Sequence, residues 1–165
     1  MEVPFELRSP THLQIEVTEE CNNSCFYCYN HWRTWGTSKN SMTLNHAEQI
    51  SKVIINEIQP FISTLTGGEP FKNYETTKYL AKELGDAGIS VGINTNLVAA
   101  DKKKLDDILT ANSDVSLLVS LPSIKREVYY KITGGDTLPI FFENLNHASQ
   151  IGIPIYINMV THQLN

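Results

Sequence analysis

All three cysteines of the chain, Cys21, Cys25 and Cys28, fall within one eight-residue stretch, Cys21-Asn-Asn-Ser-Cys25-Phe-Tyr-Cys28. Thiols so close in sequence cannot staple distant parts of a fold, and the odd count leaves one without a disulfide partner. Their use is as ligands or reactive groups. Three-residue and two-residue gaps let one loop wrap a metal centre from one side, leaving a further ligand to come from elsewhere. A cubane iron–sulfur cluster held this way keeps one iron open to an external ligand. Zinc is the rival, because Cys25, Cys28 and His31 continue the two-residue spacing and Cys21 would complete a Cys3His set. A second unusual run, Thr66-Gly67-Gly68-Glu69-Pro70, reads locally as a turn ending a strand, with Glu69 supplying charge at the start of the next helix.

These segments need a scaffold, and hydrophobic periodicity supplies one. Residues 12–17 alternate Leu13, Ile15 and Val17 with polar residues and stop just before the cysteines. A helix follows in which Ala47, Ile50, Val53, Ile54 and Ile58 share a face, ended by Pro60. Strands are then expected at 61–65, 89–94, 115–121 and 154–160. The helices between them are expected around Thr77, Leu80, Ala81 and Leu84, then at 102–110, 124–132 and 140–150. Gly88 and Gly152 are placed as C-terminal caps. Strands separated by helices imply right-handed βαβ crossovers and a parallel sheet, and in such folds working residues gather at the C-terminal strand ends. The cysteines, the Gly-Gly-Glu-Pro run, Asn94-Thr95-Asn96 and Ser120 all fall on that edge.

The chain has 165 residues, the size of one domain spanning 1–165. Its 41% hydrophobic and 19% charged content is that of a folded protein. A formal charge of -5 provides no basic field for nucleic acid or anionic lipid. No apolar run reaches the roughly 20 residues of a membrane span, and the N-terminus lacks the features of a signal peptide, so a cytoplasmic location is expected.

Taken together, Cys21-x3-Cys25-x2-Cys28 after the first strand, Tyr27 before the last cysteine and Gly67-Gly68-Glu69-Pro70 after the second strand resemble the radical S-adenosylmethionine (SAM) superfamily. The resemblance runs from about Thr11 to Asn165. It implies an α/β partial parallel (β/α) barrel with about five βα units present and the sixth strand missing, as if the chain stopped before a C-terminal extension. It also implies a [4Fe–4S] cluster on Cys21, Cys25 and Cys28 whose open iron is chelated by SAM. One electron from the cluster cleaves SAM to a 5′-deoxyadenosyl radical that abstracts hydrogen from substrate.

Carried over residue by residue, Gly67, Gly68, Glu69 and Pro70 would hold the SAM amino group. Glycines let carbonyls approach an ammonium and a carboxylate adds opposite charge. Tyr27 and Val160 would lie near adenine, Ser120 would bond the ribose, and Asn94 and Asn96 would face SAM. Cys28-Tyr29, the Gly-Gly-Glu-Pro-Phe run and Asn158–Thr161 most resemble peptide- and protein-modifying members of the SPASM or Twitch type. A peptide or protein substrate and an electron donor such as a flavodoxin or ferredoxin are therefore expected. The alternatives are a small-molecule enzyme of cofactor or nucleotide biosynthesis and a noncatalytic Cys3His zinc or iron–sulfur module.

Some positions depart from the family pattern. Thr95-Asn96-Leu97 stands where Thr-Asn-Gly is common, so a close backbone approach is expected to be lost, and Pro122-Ser123 replaces an Asp-Gly. An arginine often found near the position of Thr133-Gly134 is absent, with Lys131 a substitute for pairing the SAM carboxylate. His31, Trp32 and Trp35 could cover the cluster or pack locally. Tyr129 and Tyr130 are consistent with helix packing, and His147 and His162 read as surface residues.

Overall fold

The computed structural model describes residues 9–30 and 40–163. Five strands, β1 (His12–Glu16), β2 (Ile62–Thr66), β3 (Ser90–Thr95), β4 (Ser116–Ser120) and β5 (Ile155–Asn158), form one parallel sheet in the order β1-β2-β3-β4-β5. Between them lie α1 (Leu44–Val53), α2 (Tyr74–Asp86), α3 (Lys102–Ala111), α4 (Arg126–Thr133) and α5 (Leu138–Gln150). A strand order identical to chain order, joined by right-handed crossovers, puts every helix on the same side of the sheet. That is the arrangement of a curling partial barrel rather than a doubly wound sheet.

The alternation within each strand sorts the side chains accordingly. Ile15, Leu65, Val91, Ile93, Leu117 and Val119 face the helices and form the core with Leu80, Leu84, Leu105, Ile108 and Phe141. The opposite face carries hydrogen-bonding groups. Gln14, Thr64, Gly92 and Ser116 stand side by side in register, and His12 Nε2 shares a hydrogen bond of 2.8 Å with Thr64 Oγ1.

Helix starts follow their local chemistry. Thr43 caps α1 by accepting from the His46 N–H at 3.2 Å, and Asp101 caps α3 by accepting from the Lys104 N–H at 2.9 Å. The turns at Gly88 and Gly152 take the left-handed conformation expected of them, with φ of 79° and 85°. The face of α1 differs from expectation. Ala47, Ser51 and Ile54 are buried, whereas Ile50 and Val53 are 37% and 41% exposed. The helix widens into a π turn over Ile54–Ile58, closed by Gln59 N–H to the Ile54 carbonyl at 2.7 Å. Ile50 and Val53 lie in the regular part of α1, on the flank of the stripe that Ala47, Ser51 and Ile54 form.

His147 also differs from its reading as a plain surface residue. It shares a hydrogen bond of 2.8 Å with Asp106 of α3 and its side chain is only 18% exposed. Among the described residues, no helix is long and apolar enough to cross a membrane.

Candidate functional site

The loop after β1 carries the cysteines, and backbone hydrogen bonds fix it on two sides. Gly68 N–H donates to the Thr18 carbonyl and Glu69 N–H to the Glu20 carbonyl, each at 2.6 Å, extending the β1–β2 pairing past both strand ends. On the other side, Ser24 N–H reaches the Thr133 carbonyl at 2.8 Å and Phe26 N–H the Ile132 carbonyl at 3.2 Å. The last carbonyls of α4, which lack partners inside the helix, are thereby used to position the cysteine loop. Cys28 N–H closes a turn on the Cys25 carbonyl at 3.1 Å.

The Gly-Gly pair is required by this close approach. A Cβ on Gly68 would overlap the Glu20 carbonyl and one on Gly67 the Thr18 carbonyl, and Gly67 has a φ of +139°. Asn30 adds a hydrogen bond from Nδ2 to the Gly67 carbonyl at 3.4 Å.

A cavity of about 260 Å³ opens at the C-terminal ends of the strands, and Cys21, Cys25, Cys28, Gly67, Gly68 and Ser120 all line it. Tyr27, Asn94, Asn96 and Val160 line it too. The structure thus brings ten of the twelve expected site residues to one cavity. Glu69 and Pro70 lie outside its wall. Glu69 is fully buried and turned toward β3, where its carboxylate accepts from Thr95 Oγ1 and Asn96 N–H, both at 2.7 Å, and from Phe71 N–H at 3.2 Å. Burial pushes the Glu69 carboxyl up, opposed by the hydrogen bonds from Asn96, Thr95 and Phe71. Pro70 begins a 3-10 turn, Pro70–Asn73.

Cys21 Sγ accepts from Asn23 N–H at 3.4 Å and from Asn96 Nδ2 at 3.6 Å. Burial, with added negative potential from Cys25 and Cys28, pushes the Tyr27 phenol up to about 12. Asn23, Thr66, Thr95, Pro122, Thr133 and Asn158 also line the cavity. Sequence reasoning did not assign them a site role, although their positions at or beyond strand ends, or at the α4 C-terminus, were the available signal. Lys131 is exposed and lines a separate groove with Arg126 and Tyr130, so the substitute role expected of it has no support in its placement. His31, Trp32 and Trp35 lie outside the described residues.

The donor set fits a polynuclear cluster. Three thiols border one cavity, and thiolates are the ligands such a cluster takes.

Comparison with known proteins agrees with this geometry. The family model of the radical SAM superfamily matches residues 15–163, and the chain belongs to that superfamily, whose members bind a [4Fe–4S] cluster and SAM. The chain is 31% identical over 156 residues to a "probable GTP 3′,8-cyclase" of Thermococcus kodakarensis, covering 92% of this chain and 48% of that protein. It is 30% identical over 153 residues to a GTP 3′,8-cyclase of Sulfurimonas denitrificans, covering 90% and 46%. It therefore spans about half the length of these relatives. Among solved structures, SuiB of Streptococcus suis bound to its precursor peptide SuiA superposes with a TM-score of 0.80 at 20% identity, covering 95% of this chain and 34% of that one. At that identity the likeness is one of fold.

Proposed function

We propose that the chain is the SAM-cleaving core of a radical enzyme whose substrate is a small molecule of the nucleotide class. One observation carries the reading: the three thiols, the Gly67-Gly68 turn and the polar ends of β3, β4 and β5 meet in a single cavity. Cys21, Cys25 and Cys28 would hold the cluster. The carbonyls of the Gly67-Gly68 turn would receive the SAM ammonium, and Asn94, Ser120 and Asn158 offer hydrogen-bonding partners to the rest of that molecule. When bound, the cluster and SAM together supply an electron and a carbon radical able to abstract hydrogen, while the protein's own part is to orient them and exclude water. Tyr27, half-buried in the cavity wall beside the cysteines, serves the second task.

The substrate class rests on sequence. The relatives at 30–31% identity along nine-tenths of this chain carry the name GTP 3′,8-cyclase. The expected peptide or protein substrate has behind it only a likeness of fold to SuiB.

The test is anaerobic reconstitution with iron and sulfide, then electron paramagnetic resonance of the reduced protein with and without SAM, followed by 5′-deoxyadenosine measurement with nucleotides or peptides added. A cubane signal altered by SAM, with 5′-deoxyadenosine raised by a nucleoside triphosphate, is expected. A cluster indifferent to SAM overturns the SAM-cleaving reading, stoichiometric zinc without a cluster overturns the family chemistry in this chain, and stimulation by peptide alone overturns the substrate class.

A further inference from the structure

The geometry points to Asn96 as the residue that sets the reduction potential of the cluster, through an amide N–H donated to the Cys21 sulfur, with Glu69 as the residue that holds Asn96 in place. This inference rests on Cys21, Cys25 and Cys28 being cluster ligands, and it gives Asn96 a role toward the sulfur beyond lining the cavity.

The orientation of the Asn96 amide follows from its partners. Its Oδ1 accepts from Val98 N–H at 3.0 Å, which requires the oxygen on that side and therefore directs Nδ2 to Cys21 Sγ at 3.6 Å and to Asn22 Oδ1 at 3.1 Å. The backbone of the same residue is anchored by its N–H to Glu69 Oε2 at 2.7 Å. Glu69 is fixed in turn by Thr95 and Phe71, and its own N–H reaches Glu20, next to Cys21, at 2.6 Å. The buried Glu69 carboxylate therefore ties the end of β3 to the Gly-Gly turn, and the backbone of the same residue ties that turn to the cysteine loop. The side chain it positions ends on a cluster sulfur.

Reduction adds negative charge that spreads onto the thiolate sulfurs. A donated N–H stabilises the reduced form more than the oxidised form and so raises the potential. Asn96→Ser removes the donor because serine is too short to span the gap. Asn96→Asp keeps the shape and replaces the donor by a negative charge. Asn146 is exposed on α5 and is not part of the cavity wall, so Asn146→Ser is the control.

The experiment is a redox titration of the reconstituted 165-residue chain without SAM, read by electron paramagnetic resonance, beside iron and sulfide analysis. The midpoint is expected to become more negative in Asn96→Ser, more negative still in Asn96→Asp, and to stay in place in Asn146→Ser. The near-isosteric aspartate keeps the test informative if the serine variant loads poorly. Unshifted midpoints in both Asn96 variants, with only SAM affinity changed, overturn the inference and leave the family reading intact. Failure of the unsubstituted chain to take up a [4Fe–4S] cluster overturns both, and is seen before any variant is made.

Discussion

The Glu69 carboxylate and the Thr95 hydroxyl meet at 2.7 Å in the interior, joining the turn after β2 to the end of β3. Both residues are buried, and the charged form of Glu69 depends on Thr95, Asn96 and Phe71 for the donors that water would otherwise supply. Burial nevertheless dominates and raises the carboxyl above the ordinary value of 4.5.

A pH dependence of stability follows from that direction. Above the ordinary carboxyl range the folded chain holds a proton at Glu69 that the unfolded chain has released. The contribution is therefore full below the unfolded pKa and declines as pH rises through the raised folded value. Urea unfolding of the unsubstituted chain and of Glu69→Gln, from about pH 4 to about pH 8, should show the unsubstituted chain losing stability relative to the variant as pH rises. Parallel pH profiles would show that Glu69 titrates alike in both states.

Gly68 and Gly88 separate two uses of glycine. Gly88 has a positive φ and open space around it, so Gly88→Ala meets only backbone strain, about 1 kcal/mol, and leaves iron uptake unchanged. At Gly68 the added methyl meets the Glu20 backbone and would force apart the loops that carry the cysteines. Gly68→Ala should cost about 2 kcal/mol or more and lower the iron bound per chain. Thermal unfolding and iron analysis of both variants check this, and equal iron content would detach the close approach from cluster binding.

Each cysteine is required if the three hold a cubane. Cys25→Ala should lose the iron and sulfide of the reconstituted chain, since no other cysteine exists to replace it. Full iron content in that variant would remove Cys25 from the ligand set.

The repeating strand–helix pattern was legible because β1 to β4 are buried on their helix-facing sides and each helix carries one apolar stripe. The gathering of the cysteines, Asn94, Asn96 and Ser120 at one edge followed from parallel topology alone. Less legible was anything decided by a partner distant in sequence. Nothing local to Glu69 says that its side chain turns inward to Thr95, because that contact joins two βα units. The outward positions of Ile50 and Val53 follow from the polar Ser51 lying on the buried stripe with Ala47 and Ile54, which a count of apolar residues does not anticipate. Asp106, which pairs with His147, lies 41 residues away in another helix.

Leu97 shows how a residue other than glycine is held at the turn after β3. Where glycine is common in the family pattern this chain has Leu97, which adopts a φ of 62° and is completely buried. Its carbonyl accepts from Asn144 Nδ2 of α5 at 2.8 Å, and Thr95 Oγ1 accepts its N–H at 2.8 Å. The left-handed conformation costs an L-residue about 1–2 kcal/mol, offset here by burial of the leucine side chain and by these hydrogen bonds. Removing the side chain should therefore be less harmful as Leu97→Gly than as Leu97→Ala. Both lose the packing, about 2–5 kcal/mol for Ala, but only glycine also relieves the backbone, by about 1 kcal/mol. Chemical denaturation of the two variants measures the difference directly. An alanine variant as stable as the glycine variant would mean that Leu97 is not strained, and that the turn at the end of β3 accepts any residue whose side chain fits the core.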